Sequence, residues 1–198
     1  GVTLPAPGAE GDVLDRALTF ELRGCIPSTM LVEASVLDAV RPLADREAAD
    51  DVGMVIELAR RTRFVAIREP LVTKGRPGTQ RHETMGVPRE LERMLEEYAD
   101  LYDQRDPKVR ATAVRNVHRA WGGRLLNQRL WSARAVLEYW LALYHAPEVT
   151  AYDLASALAA LFGRPGRDLG LSVYRSLRAD SSEVPPAMKT RSRHDGHR

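Results

Sequence analysis

Residues 44–72 read ADREAADDVGMVIELARRTRFVAIREPLV, and this stretch decides how the first part of the chain is organised. Val52, Val55, Ile56 and Ala59 fall at i, i+3, i+4 and i+7, which predicts a helix from about Asp51 to Arg61. Phe64 to Ile67 is a short apolar run of strand character, and Ser28 to Val32 upstream is another. Between them Ser35 can cap a short helix through Val40, with Asp38 at the capping-box position. Strands alternating with helices predict an α/β layer over residues 1 to about 80.

Past a division near Thr79 to Val87 the pattern is helical. Pro88 suits a first turn, and Leu91, Met94, Leu95, Tyr98 and Tyr102 then form one stripe. A second helix covers about Pro107 to Trp121, with Val114, Val117 and Trp121 inward, and Gly122-Gly123 weakens or ends it. A third runs from about Trp131 to His145, with Ala133, Leu137, Trp140, Leu141 and Tyr144 inward and Pro147 beyond its end. Thr150 can cap a fourth that carries Leu154, Leu158, Leu161 and Phe162 and stops at Gly163. Pro165 opens a fifth through Leu177, so residues 81–178 read as a helical bundle or hairpin stack. The word GRPG at 75–78 and 163–166 lacks the Lys-Ser/Thr of a phosphate loop and reads as a turn.

The chain has 198 residues, 44% hydrophobic and 28% charged, the composition of a folded globular protein. A net charge of +2 gives no broad field for nucleic acid. The basic stretch KTRSRHDGHR at 189–198 follows Pro185-Pro186 and reads, within residues 179–198, as a flexible solvated tail. Cys25 is the single cysteine, which excludes an internal disulfide and suits a reducing, cytoplasmic compartment. No run approaches the length of a membrane span. The start, GVTLPAPGAEGD, has no Met and reads as a loop inside a longer protein.

CIPSTMLVEASVLDAV at 25–40, the acidic pair Asp50-Asp51 opening a helix, the run TRFVAIREPLV and the following TKGRPGT together resemble the acceptor-side half of a family 2 glycosyltransferase of the GT-A fold. LLNQRLWSARAVLEYWLALYHAP at 125–147 and LASALAALFG at 154–163 are similar to the helical extension that often follows such domains. The resemblance implies transfer, with inversion, of a sugar from a nucleotide-sugar donor to the hydroxyl of a glycan or small-molecule acceptor. It implies a divalent metal, Mg or Mn, but Asp-x-Asp occurs nowhere in the sequence, so the metal's ligands and the donor-binding half are missing from this chain. By the same resemblance Asp51 is the general base with Asp50 beside it, Ser28 and Thr29 orient substrate, and Lys74 and Arg76 contact the diphosphate.

Each of these residues has a plainer reading. An aspartate at a helix start caps the helix and complements its dipole. Ser28 and Thr29 can satisfy local backbone groups, and Lys74 and Arg76 can belong to a solvated turn. His118 follows apolar Val117 and reads as a helix-surface or core-edge histidine. Trp121, Trp131 and Trp140 read as core. The words at 125–163 also look like one tetratricopeptide-type hairpin, with Ala133 as the small contact residue and Pro147 as terminator. The alternative function is therefore a non-enzymatic helical protein-interaction module.

Overall fold

A computed structural model of the chain describes residues 8–22, 27–67, 69, 72 and 85–180, with 171 and 173–180 as backbone only. Among the described residues the elements are α1 Leu14–Leu18, α2 Ala34–Val40, α3 Asp50–Ala59, α4 Gly86–Glu97, α5 Ala99–Asp103, α6 Pro107–Gln128, α7 Ala133–Tyr144, α8 Ala151–Leu161 and α9 Gly163–Asp180. A single 3-10 turn, Pro27–Thr29, stands between α1 and α2.

The described residues contain no strand; their β pairing is an isolated antiparallel bridge between Gly11 and Phe64. The α/β layer predicted for residues 1–80 is thus absent from them, and the likeness to a GT-A glycosyltransferase, whose domain is built on a sheet, is overturned. The two apolar runs find no partner strands. Leu31 is 98% exposed and Val65 88%, so side chains that would enter a layer face solvent instead. An apolar run this short carries strand propensity but does not by itself specify a sheet.

Helix positions agree better with their local signals. Val55, Ile56 and Ala59 of α3 are buried, as their spacing predicts. Leu91, Met94, Tyr98 and Tyr102 are buried too, although the helix breaks at Tyr98 between α4 and α5. The buried Tyr102 hydroxyl donates to the Leu18 carbonyl at 2.7 Å and ties α5 to α1. Asp106 caps α6 by accepting from the Lys108 amide, with Pro107 in the first turn. At α8 the predicted Thr150 cap is a full capping box with Asp153.

The glycine pair does not end α6, which continues to Gln128. A Cβ on Gly122 would lie 2.8 Å from the Tyr139 ring and 3.3 Å from the Ala135 carbonyl oxygen. The glycine serves a close helix crossing rather than a helix end. Through this crossing α6 links two cores. Val109, Ala113, Val117 and Trp121 join α1, α3 and α4 in the first, while Leu126 meets Ala135, Tyr139, Ala157 and Ala160 in the second.

The predicted inner faces of α7 and α8 are outside. Ala133, Leu137, Trp140 and Tyr144 are exposed and Leu141 is half-buried, while Ala135, Glu138, Tyr139 and Ala142 are buried. Leu154, Leu158, Leu161 and Phe162 are exposed, while Asp153, Ala157 and Ala160 are buried. Of the three tryptophans only Trp121 is core; Trp131 and Trp140 are 56% and 41% exposed. Ala133, exposed, is not the small contact residue of the hairpin; that part falls to Ala135. No described helix is long and apolar enough to cross a membrane.

The crossing gives a paired expectation. Gly122→Ala should destabilise the fold despite its gain in helix propensity, because the Tyr139 ring and the backbone behind it must move. Gly123→Ala, whose Cβ would meet only the Tyr139 hydroxyl at 3.7 Å, should be neutral or stabilising by up to about 1 kcal/mol. Denaturant unfolding of the two variants checks the opposite signs.

Candidate functional site

Asp50 and Asp51 occupy the first turn of α3, after Ala49 at φ 59°. Neither is the capping residue. Asp51 accepts from the adjacent Val52 amide at 3.0 Å, and both carboxylates stand at the positive end of the helix dipole. Asp50 lines a cavity of about 290 Å³ between α2, α3 and α4; Asp51 does not. Its apolar wall is Val40, Pro42, Leu43 and Met54. Ser28 and Thr29 lie in the 3-10 turn, both exposed, and do not line it. Lys74 and Arg76 lie outside the described residues. Of the described members of the predicted set, only Asp50 is brought to this cavity.

The cavity's charged wall is organised around Arg46. Its side chain is 4% exposed and lies across Gly53, where a Cβ would come within 2.6 Å of Nε. Nη2 donates to Glu97 at 2.7 Å, whereas Nη1 is 3.7 Å from the buried Glu90 and makes no hydrogen bond to it. Burial works against the Arg46 charge, but the Glu97 hydrogen bond and attraction outweigh it and hold the pKa above its ordinary value. Glu57 on the same wall is held by Arg60 and Arg61 at 3.0 and 2.6 Å. Burial alone would raise its pKa, and the two arginines lower it. Arg46 Nη2 and Glu57 are paired, while Arg46 Nη1 and Glu90 Oε2 are buried without a hydrogen bond, so the wall is a joint between α3 and α4 that is satisfied only in part.

A second polar cluster joins α6 to the α7–α8 hairpin. His118 Nδ1 is 2.8 Å from Glu138, and the His118 and His145 rings stack at 5.4 Å with an 11° tilt. The carboxylate partner that His118 lacked at close sequence spacing thus comes from α7, twenty residues on. Asp153 of α8 faces Arg119 at 3.5 Å and Arg115 at 4.0 Å, and Arg119 covers the Tyr152 ring. Glu138 and Asp153 are the only acidic residues of α7 and α8, and both are buried. Among the described residues no group of three or more His, Cys, Asp or Glu is placed to hold a metal ion.

With its charges turned inward, the hairpin presents apolar residues outward. The exposed residues of α8 are Ala151, Leu154, Ala155, Leu158 and Leu161, all apolar. On α7 they are Ala133, Arg134, Leu137, Trp140 and Tyr144, and Arg134 is tied to Glu138 at 3.4 Å and stacked on Trp121. The Trp131 indole donates to the Leu161 carbonyl at 3.0 Å and holds the open end of the hairpin together. Sequence periodicity found these stripes but assigned them to the core. No family model, curated protein or solved structure matches the chain.

Two outcomes are expected from the polar clusters. Arg46→Met should cost about 3 kcal/mol by leaving Glu90 buried without its main countercharge, and adding Glu90→Leu should recover much of that loss. A cost below about 1 kcal/mol for the single change would show that the pair is not coupled. The second concerns His145, whose pKa is lowered by burial and then by His118. The folded protein then binds fewer protons than the unfolded chain between the lowered value and about 6.5, so stability should be full above that pH and fall as pH drops through the window. In melting curves at successive pH values, His145→Asn should remove that part of the slope.

Proposed function

We propose that this chain is a helical protein-interaction module whose working surface is the outer face of the α7–α8 hairpin. The observation that carries the reading is α8 itself: its single charged residue is buried and each of its exposed residues is apolar. A helix apolar on its outer as well as its inner side is the pattern of a helix covered on both. Here α7 and α9 flank α8, and Leu154, Leu158 and Leu161 are left about half exposed. Leu137, Trp140 and Tyr144 on α7, Leu154, Leu158 and Leu161 on α8, and Phe162 beside them have exposures between 41% and 81%. Seven such side chains on or beside two neighbouring helices are more than the singly scattered apolar residues of an ordinary surface.

The rotation of the hairpin supports the same reading. Polar groups that could have faced water at no cost are instead buried against arginines and a histidine of α6, and large apolar groups take their place outside. Partner binding gives those groups somewhere to go. The cavity beside Asp50 is a weaker candidate, because most of its charged wall is already paired.

Neighbouring positions on α8 provide the test. In dilute solution Leu158→Gln should change unfolding free energy by no more than about 0.5 kcal/mol, as an exposed site does. Ala157→Gln, at a fully buried position, should cost about 2 kcal/mol or more through overpacking and a buried amide. Comparable large losses at both positions would place Leu158 in the core and remove the proposed surface.

A further inference from the structure

We infer that the occupant of the α7–α8 face is a second copy of this chain, docked face to face so that the same surface serves both partners. The inference rests on the interaction reading above and goes further by naming the partner.

Three features favour a second copy. The first is charge. With Glu138 and Asp153 buried, the one charged side chain exposed on these two helices is Arg134, and it is offset by Glu138 at 3.4 Å, so an acidic or basic partner finds little charge pattern to read. A neutral face also presents no repulsion to its own duplicate. The second is area: seven large side chains, each 41% or more exposed, can contribute on the order of several hundred Å² toward the ~800 Å² that each side gives to a standard-size interface, and homodimer contacts are the more apolar class.

The third is shape. Leu137, Trp140 and Tyr144 stand at i, i+3 and i+7 on α7, and Leu154, Leu158 and Leu161 at i, i+4 and i+7 on α8. The two helices are consecutive, antiparallel and packed on each other. One row is therefore rich in large aromatics and its neighbour is made of leucines. A two-fold axis over the hairpin sets each leucine row against the other copy's aromatic row, making every contact twice. Such packing covers both stripes in one step.

Sedimentation of the full 198-residue chain over a concentration series tests this. The expected result is a reversible monomer–dimer equilibrium, with Trp140, 41% exposed in the single chain, shifting its emission to the blue as the dimer forms. Leu158→Glu should weaken the dimer at least 100-fold while far-ultraviolet circular dichroism stays unchanged. Leu158→Ala, which adds no charge, should weaken it about 10-fold and keeps the test decisive if the glutamate variant unfolds. A wild-type chain that stays monomeric at every concentration would sink the second-copy inference. So would a dimer that survives either folded variant. Neither result touches the broader interaction reading, which fails only if Leu158→Gln destabilises the monomer as a core substitution does.

Discussion

The approach of α6 to α7 at Gly122 is the constraint on which the second half of the structure depends. The Tyr139 ring lies where a Cβ of residue 122 would be, so the two helices meet more closely than any larger residue permits. That contact selects the face that α7 turns inward. Ala135, Tyr139 and Ala142 follow one another at i, i+4 and i+7, so once Tyr139 is seated the two alanines are carried inward with it. Leu137, Trp140 and Tyr144, on the opposite side, are carried outward. The helix crossing thus places the apolar stripe as firmly as it places the core.

Charge completes what the crossing begins. Glu138 shares the inward face and meets His118, while Asp153 on the next helix meets Arg119 and Arg115. A buried ion pair adds little net stability over an apolar replacement, but losing one partner is costly. Such pairs therefore penalise other rotations more than they stabilise this one. Turning α8 over would remove Asp153 from its arginines and from the Thr150 capping box. The hairpin is held by polar contacts inside, which leaves its leucines free for contacts elsewhere.

What was legible in the sequence divides along the same line. The Thr150 cap, the α3 periodicity and the stripe from Leu91 to Tyr102 could be read because each is specified within a few turns of sequence, whereas the Asp106 cap went unread. The strands expected at 28–32 and 64–67 do not form, since a strand exists only with a partner and no local pattern supplies one. The Gly122-Gly123 pair was misread as a stop because its role lies in Tyr139, seventeen residues on from Gly122. The faces of α7 and α8 were found correctly and assigned to the wrong side. Periodicity locates an apolar stripe but says nothing about whether the chain's own core or another surface covers it. Of the four predicted site residues that are described, only Asp50 reaches a cavity, and the grouping itself came from a resemblance that the helical fold overturns.

Not every exposed apolar residue here calls for a partner. Leu31, Val65 and Ile67 stand singly on irregular chain, and isolated apolar side chains are ordinary on protein surfaces. The α7–α8 residues differ in being ordered into rows by regular helices, so their positions relative to one another are set before anything binds. A rigid pair of rows loses little conformational freedom on association, and two-angle aromatics such as Trp140 and Tyr144 lose less than long flexible side chains would. The cavity beside Asp50 lacks that advantage. There Arg46 Nη2 is held by Glu97 and Glu57 by two arginines, so a ligand entering would compete with existing pairs over most of the polar wall. The physical contrast favours the hairpin: it has surface to cover and no internal contacts to give up.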